Sequence, residues 1–459
     1  MDRQNHSFFS SELMKKKTIH KAQKRFSKRG LLQTVRNSFA EIEDTITGRG
    51  FVLTDYLLSG LAVFTLKYPS LLEFDKRARG GDLPVLRNLR NLFGIREVPS
   101  DSGLRKRLDE LSPRALRPAF KKFFALLQRS KVLEAYKYID GHLLISVDGT
   151  GFFSSKDVRC VHCCAKHHRD GSTTYYHQML CGAVVSPDEK EVIPLAPEPI
   201  QNTDGATKND CERNASMRFW DDFRREHPHL KTIVLQDALA SNAPYIRYLE
   251  GRGLRFILGV KPKGHKFLFT YLHRSTQAQH LEIQTEDGII HRFNYLNHVP
   301  LNESNPEVKI NVLHYEEVKP GTKRNPSPKP KSFTWVTDLP LEAGTLMKIM
   351  NAGRARWKIE NETFNTLKNQ GYHFEHNFGH GNHHLSSVFG FLMMLAFLID
   401  QIELRCDGLF NDALEKMERL KYLREQIRTM VREFVLESWE FLYLAIAKGY
   451  QASIRIDSS

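Results

Sequence analysis

The chain has 459 residues, of which 41% are hydrophobic and 26% are charged. This balance is typical of folded globular proteins and excludes wholesale disorder. Lysine and arginine together number 67 against 53 acidic residues, which gives a formal net charge of +14. An excess of this size indicates a polyanionic partner, either nucleic acid or an anionic membrane surface.

The distribution of apolar residues and cysteines argues against a membrane protein and against a disulfide scaffold. The longest apolar run, residues 388–399, has 12 residues, whereas a membrane span needs about 20. The N-terminus has no apolar segment of the kind that follows the basic residues of a cleavable signal. Six cysteines in a chain of this length do not make a disulfide framework. We therefore expect a soluble, cytoplasmic protein that binds nucleic acid and no membrane.

The N-terminal third is predicted to be a basic arm followed by helices. Residues 1–30 contain nine lysines and arginines and two acids, which is typical of a solvated arm that contacts phosphates when the rest of the chain binds DNA. Residues 31–138 show helical periodicity. Two short helices within them carry Arg105 and Arg117 on their polar sides, which fits either a helix-turn-helix DNA-binding unit or a plain helical bundle.

The periodicity changes to that of a mixed α/β fold after residue 139. Predicted strands alternate with helices in this part, which indicates a mixed sheet; the strands cover residues 143–150, 173–185, 191–200, 232–237 and 255–260. The following segment reads as short antiparallel strands with a basic loop at 319–331. The predicted regions are 1–138 (arm and helical DNA-binding region), 139–262 with 341–405 (catalytic core), 263–340 (β-rich insertion) and 406–459 (C-terminal helices).

Three acids stand at positions that suit a metal site. Asp148 and Asp237 follow the apolar runs of two predicted strands, and Glu360 lies in a predicted helix over residues 341–368. Carboxylates that converge at the ends of neighbouring strands bind Mg²⁺ or Mn²⁺, and two such ions can activate a water or a 3′-hydroxyl against a phosphodiester. The alternative is that each aspartate only caps a turn.

The helical spacing around Glu360 suggests which side chains accompany it. Arg356, Glu360 and Phe364 follow one another at intervals of four residues and share a helix face. Lys368 lies near the same stripe, whereas Glu362 should face away. An arginine and a lysine beside a catalytic glutamate would hold phosphates. The alternative is an ordinary surface salt bridge.

Several segments resemble bacterial insertion-sequence transposases of the DDE type. The resemblance lies in residues 145–150 (ISVDGT), 235–239 (LQDAL), 356–360 (RWKIE), 208–213 (KNDCER), 261–265 (KPKGH) and 371–376 (GYHFEH). The chain looks most like the group with a β-rich insertion before the Glu and a Tyr–Arg–Glu–Lys signature around it. Two positions depart from that signature. Gly353 stands where the group has Tyr, and Lys368 follows Glu360 by eight residues rather than seven, which leaves Asn361 or Glu362 as register alternatives.

The resemblance implies a ribonuclease-H-like α/β core with the β-rich insertion, flanked by helical regions. It implies Asp148, Asp237 and Glu360 as catalytic ligands of two Mg²⁺ or Mn²⁺ ions, and Arg356 and Lys368 as DNA contacts. The implied activity is binding of element terminal repeats, phosphodiester hydrolysis and strand transfer into target DNA by a homodimer at the bacterial nucleoid. Two alternatives stay open: a ribonuclease-H-fold nuclease without strand transfer, and an inactive DNA-binding copy.

The sequence also contains two clusters of cysteine and histidine side chains, which can act as metal ligands. Residues 160–168 hold six cysteines and histidines, and Cys160 and Cys163 have zinc-like spacing. No second Cys-x₂-Cys follows, so we favour reduced, packed cysteines over a structural zinc ion at this pair. A second cluster lies beyond Glu360, and for it we favour a structural or phosphate-binding role over a metal site; its members are His373, His376, His380, His383 and His384.

Overall fold

The N-terminal region is helical, as predicted. The computed structural model describes residues 25–44, 50–81, 83–202, 212–321, 325 and 327–451. Its first helices are α1 (Lys28–Phe39), α2 (Leu53–Thr65), α3 (Leu71–Arg79), α4 (Leu83–Phe93), α5 (Asp101–Asp109) and α6 (Arg117–Arg129). The Ser100 hydroxyl accepts a hydrogen bond from the Gly103 N–H at 3.2 Å and caps α5.

A mixed sheet forms the centre of the molecule and confirms the predicted α/β class. Its strands are β1 (Leu143–Ser155), β2 (Cys164–His167), β3 (Thr173–Val185), β4 (Ile193–Pro194), β5 (Glu198–Ile200), β6 (Thr232–Gln236), β7 (Arg255–Gly259), β8 (Gln279–Gln284), β9 (Ile290–Asn302), β10 (Asn305–Val318) and β11 (Lys331–Thr337). Their order is β2-β3-β1-β6-β7-β11-β10-β9-β8, with β4 and β5 beside β3. Strand β1 is antiparallel to β3 and parallel to β6, which is parallel to β7.

The β-rich insertion continues this sheet. It contains α9 (Lys266–Arg274) and strands β8 to β11, and its last strand pairs with β7, with Thr337 opposite Ile257. The crossover helices of the core are α7 (Glu212–Glu226) and α8 (Ala243–Gly251). The antiparallel strands predicted for residues 263–340 are therefore present, and they extend the core sheet. The predicted basic loop at 319–331 lies partly outside the described residues.

A long apolar helix, α12 (Leu385–Cys406), packs against α2 and the short strand β4. With 22 residues it is long and apolar enough to cross a membrane, but its most apolar stretch is entirely buried inside the protein. Burial of this kind is typical of the core helix of a soluble protein. The helix therefore covers β4 with a buried hydrophobic layer and connects the N-terminal helix α2 to the sheet.

The C-terminal helices return to the N-terminal ones. They are α13 (Gly408–Met417), α14 (Leu420–Glu433) and α15 (Trp439–Lys448). The Asn88 amide on α4 donates to the Val431 carbonyl and accepts from the Leu436 N–H, both at 2.8 Å, and the Trp439 indole donates to the Leu92 carbonyl at 3.0 Å. Regions that the sequence places at opposite ends thus form one helical layer.

A buried ionic network locks this helical layer to α12. Asp400 contacts Lys67 at 2.8 Å, Lys28 at 3.3 Å and Arg424 at 3.2 Å, and the Tyr372 hydroxyl donates to it at 2.5 Å. Lys28 had been expected in the solvated arm over residues 1–30. That boundary is wrong, because the ammonium group is buried against carboxylates of α12; residues 1–24 lie outside the described part.

We expect Asp400→Asn to lower the free energy of unfolding by about 3–5 kcal/mol, because it leaves buried cations without their shared counter-ion. Urea denaturation followed by circular dichroism measures the change. The matched control is Asp412→Asn on the exposed face of α13, for which we expect a change within about 0.5 kcal/mol. Equal stabilities of the two variants would show that the network contributes little.

Candidate active site

Asp148 and Asp237 occupy matching positions on two neighbouring parallel strands. Strand β1 pairs with β6 from Leu143 opposite Thr232 to Ser146 opposite Leu235, and Asp148 and Asp237 each lie two residues beyond the last pair. Adjacent strands lie about 4.8 Å apart, so the two acids lie at the same end of this strand pair. Strand β1 continues beyond the predicted end, because its second half pairs with β3 alone.

Glu360 reaches the same place from an interrupted helix. The continuous helix predicted over residues 341–368 is wrong: the segment consists of α10 (Leu346–Ala355), a π-helical turn (Ile359–Phe364) and α11 (Asn365–Asn369). Arg356 lies at the break after α10. Its carbonyl accepts a hydrogen bond from the buried Ser146 hydroxyl at 2.9 Å, which fastens the broken helix to the strand that carries Asp148.

Arg356 joins two of the predicted ligands directly. Its guanidinium contacts the Asp148 carboxylate at 3.3 Å through Nη1 and the Glu360 carboxylate at 2.8 Å through Nη2. Only 14% of the Arg356 side chain and 21% of the Asp148 side chain are exposed, so this ion pair is largely shielded from solvent, whereas Glu360 is 42% exposed. The interval of four residues predicted the second contact, whereas the first needs the tertiary fold.

Glu360 lies in the π-helical turn, and Lys368 follows it in α11. A π turn closes its hydrogen bond over one more residue than an α turn and so accommodates one extra residue. Lys368 pairs with Glu375 at 2.8 Å. Glu362 interacts with Lys358 instead, so the structure brings Glu360 rather than Glu362 to Asp148.

The sequence analysis missed a fourth acid, Glu212. Residues 203–211 lie outside the described part, and Glu212 begins α7 directly after them. Its side chain lies over the backbone of Gly149: a Cβ at that position would stand 2.4 Å from Glu212 Oε1. The glycine after Asp148 therefore makes room for a second carboxylate. The acid cluster consists of Asp148, Glu212, Asp237 and Glu360.

The acid cluster carries more negative charge than its surroundings neutralise. Burial raises the pKa of Asp148 to about 7; Arg356 opposes the rise, and Glu212 and Glu360 add to it. Burial, with a contribution from Asp237, also raises the pKa of Glu212. Four carboxylates beside one arginine form a site that a divalent cation would stabilise. This charge balance, together with the oxygen-only donor set, fits Mg²⁺ or Mn²⁺.

The predicted DNA-binding residues Arg105 and Arg117 differ in their exposure to solvent. Arg105 is partly exposed and pairs with Asp101 on its own helix at 2.7 Å. Arg117 is 8% exposed and lies among acids of α7 and β5, at 3.4 Å from both Asp222 and Glu226. In this structure Arg117 therefore ties the N-terminal helices to the core, and the pair of short helices packs on the core as part of a bundle.

Exposed groups beside the acid cluster were also missed. Gly259 ends β7 next to the backbone of Asp237, and the exposed Lys261 and Lys263 follow it. On the other side, Trp357 is 48% exposed directly after Arg356. The segments 261–265 and 356–360, on which the sequence resemblance rests, include these residues, but the resemblance assigned no role to Lys261, Lys263 or Trp357.

The two soft-ligand clusters meet in space at a different location. Within the described residues, one group of potential metal ligands has all its donor atoms within 4.8 Å of one another; it consists of Cys160, Cys163, His177 and His380.

The carboxylates of the acid cluster are spaced more widely, with Arg356 between Asp148 and Glu360. The Asp237 carboxylate also accepts from the Leu239 N–H at 2.9 Å, so it caps a turn as well.

Sequence comparison adds no relative: no protein-family description and no curated protein matches the chain. The geometry of the described residues is therefore the basis for the function proposed below.

We expect Asp148→Asn to stabilise the metal-free protein at pH 8 by on the order of 1–3 kcal/mol. The folded pKa of Asp148 is about 7, whereas the unfolded carboxyl ionises near pH 4. The folded state therefore loses stability as the pH rises from about 4 to 7, and the amide removes that loss. Unfolding curves at pH 5 and pH 8 test this.

The gain in stability from Asp148→Asn should shrink towards pH 5, and Mg²⁺ should stabilise the parent protein more than this variant. Asp157→Asn, on the exposed loop after β1, is the control and should change neither curve. A variant that is less stable than the parent at pH 8 would contradict the charge-repulsion account.

Proposed function

We propose that the protein is a metal-dependent DNA-cleaving and strand-transfer enzyme of the DDE transposase type with a ribonuclease-H-like core. The observation that carries the proposal is the placement of Asp148 and Asp237 at the same end of two paired parallel strands, with Arg356 linking Asp148 to Glu360. If Asp148 and Asp237 only capped turns, nothing would require Arg356, which is 208 residues away in the sequence, to pair with Asp148.

The side chains divide the work of phosphodiester cleavage. The acid cluster would hold Mg²⁺ or Mn²⁺, and such ions activate a water or 3′-hydroxyl and stabilise the leaving oxygen. Asp148 and Asp237 would supply ligand oxygens from the sheet, and Glu360 would supply one from the π-helical turn. The Arg356 guanidinium, which pairs with Asp148 and Glu360, would bind a phosphate oxygen beside them.

Positive and aromatic groups around the acids fit a nucleic-acid substrate. Lys261 and Lys263 follow the strand next to Asp237 and are exposed, so they can contact phosphates on that side. Lys368 follows Glu360 in the next helix, where it pairs with Glu375. The exposed ring of Trp357 offers a face on which an unpaired base can stack. The net charge of +14 supports the same substrate class.

Replacing one acid should separate cleavage from binding. We expect Asp148→Asn, Asp237→Asn and Glu360→Gln each to slow Mg²⁺-dependent nicking by about 100-fold or more, because each removes a metal-binding charge. The substrate is duplex DNA carrying the sequences on either side of the gene, and nicks and joined products are mapped on gels. DNA affinity should change little, because it comes from lysine and arginine.

Glu362→Gln is the matched control, since this acid lies on the same π-helical turn but faces Lys358. It should keep parental activity. Nicks without joined products would favour a nuclease that performs no strand transfer. A parent that binds DNA but never cuts it with Mg²⁺ or Mn²⁺ would overturn the enzymatic proposal and favour an inactive DNA-binding copy.

The basic N-terminal arm should contribute to DNA affinity through phosphate contacts. Residues 1–24 contain six lysines and arginines, and each phosphate contact steepens the dependence of log affinity on log salt by about 0.9. We expect deletion of residues 1–24 to make this slope shallower by about two or more. Fluorescence anisotropy over a salt series measures it. An unchanged slope would remove the arm from the interface.

A further inference from the structure

The Cys and His side chains that meet beyond strand β1 come from three separate segments. Cys160 and Cys163 lie in the loop after β1, His177 lies on β3, and His380 lies in the loop between α11 and α12. Cys163, His177 and His380 are each at most 5% exposed. Four soft donors thus share one buried position, and we refer to these residues as the Cys₂His₂ cluster.

The distances between the donor atoms are those of a tetrahedral metal site. Zn–S bonds of about 2.3 Å and Zn–N bonds of about 2.05 Å imply S···S, S···N and N···N separations of about 3.8, 3.5 and 3.3 Å around one ion. The two sulfurs lie 3.8 Å apart, three of the four sulfur–nitrogen pairs 3.3–3.4 Å apart, and the two Nε2 atoms 3.1 Å apart. These five separations lie within a few tenths of an ångström of their expected values, and the remaining pair, Cys160 with His380, lies within 4.8 Å.

The histidines are also oriented as metal ligands. Nδ1 of His380 donates to the Gly381 carbonyl at 3.0 Å, which leaves Nε2 as the unprotonated, ligand-ready nitrogen. Both Nε2 atoms point at the sulfurs and at each other. Nε2 of His177 lies 3.4 Å from both sulfurs, and Nε2 of His380 lies 3.3 Å from Cys163 Sγ and 3.1 Å from the other Nε2. A cation among the four atoms would accept a lone pair from each of them.

Other uses of the same residues fit less well. A disulfide needs sulfurs about 2.05 Å apart, and these are 3.8 Å apart. In a two-iron cluster the cysteines and histidines bind different irons, whereas here each sulfur approaches His177 as closely as a shared ion requires. Soft thiolate and imidazole donors in a closed, four-coordinate arrangement favour Zn²⁺ over the hard ions that suit the acid cluster.

We propose that the Cys₂His₂ cluster binds one structural Zn²⁺ ion that clamps the loop after the Glu360 helix to the β1–β3 hairpin. The clamp spans a long interval of chain, since Cys163 and His380 are 217 residues apart. It joins segments from before and after the β-rich insertion. A closed site of four protein ligands leaves no position for a substrate, so the ion has a structural role.

Neighbouring contacts show how the clamp is built into the fold. The Asp109 carboxylate at the end of α5 accepts from the backbone N–H groups of residues 382–385 at 2.8–3.0 Å. Although burial opposes it, these hydrogen bonds lower the pKa of Asp109. The His162 and His384 rings stack beside the cluster, with centroids 4.7 Å apart. The His380 loop is thus positioned for the ion from two sides.

Metal analysis of the full chain, purified without a polyhistidine tag or chelator, tests the proposal directly. We expect one Zn²⁺ per chain. The Co²⁺-exchanged protein should show the strong visible absorption of a tetrahedral site together with thiolate-to-cobalt charge transfer. A folded protein that contains no stoichiometric Zn²⁺ and takes up neither Zn²⁺ nor Co²⁺ overturns the proposal, whatever the result of the DNA-cleavage assays.

Matched variants assign the ligands. Cys163→Ser and His380→Gln should reduce the bound Zn²⁺ from one ion per chain to near zero. Cys164→Ser and His168→Asn alter a thiol and an imidazole of the same hairpin that lie outside the cluster, and both should retain the ion. Loss of Zn²⁺ from all four variants, or from none, overturns the assignment.

Hydrogen exchange of the parent tests the clamp without relying on the folding of a variant. Removing Zn²⁺ with a chelator should increase exchange in residues 160–163 and 376–384 by at least about tenfold, because these loops lose their shared anchor. Strands β8 and β9 of the insertion should be unaffected. Unchanged protection of both loops after complete removal would overturn the clamping role.

Discussion

The candidate active site depends on how the chain after the insertion docks on strand β1. The contact that achieves this is the Ser146 hydroxyl on the Arg356 carbonyl, supported by the two ion pairs of the Arg356 guanidinium. The hydroxyl is buried and lies two residues before Asp148, so it faces the same side of the strand. Glu360 reaches the acid cluster because this one junction sets the position of the broken helix.

The same junction explains why an arginine lies within the acid cluster. Burial, and to a lesser extent repulsion from Glu212 and Glu360, raises the pKa of Asp148. Arg356 offsets part of the repulsion and keeps Asp148 and Glu360 from separating. A site assembled in this way is held together before any cation binds. The arrangement combines a preformed geometry with a residual negative charge that only a cation neutralises fully.

Local patterns in the sequence predicted much of the core and part of the site. The apolar runs gave β1, β3 and β6, and their alternation with helices gave the mixed sheet, because strand and helix periodicity are local properties. The acids at Asp148 and Asp237 followed from those runs. The helix around Glu360 was less well predicted, since the break at Arg356 results from its docking on β1.

Other features depend on contacts that no local pattern reveals. Glu212 belongs to the site because α7 packs across Gly149. Arg117 has the spacing of an exposed residue on an amphipathic helix, yet acids from α7 and β5 cover it. The Cys₂His₂ cluster was discounted because the Cys-x₂-Cys pair had no second pair near it, and the remaining ligands came from β3 and from a loop beyond Glu360.

The packing of Gly353 has a consequence for the modularity of the fold. The glycine backbone lies on the indole ring of Trp335 in β11, so closely that a Cβ would stand 2.5 Å from the ring. Trp335 also occupies the strand that pairs with β7. Removing residues 263–340 would therefore leave an open sheet edge, prone to aggregation, and an unsupported turn at Arg356. The insertion supports α10, which leads to Arg356, and a shortened chain would have to replace this support as well as close the gap.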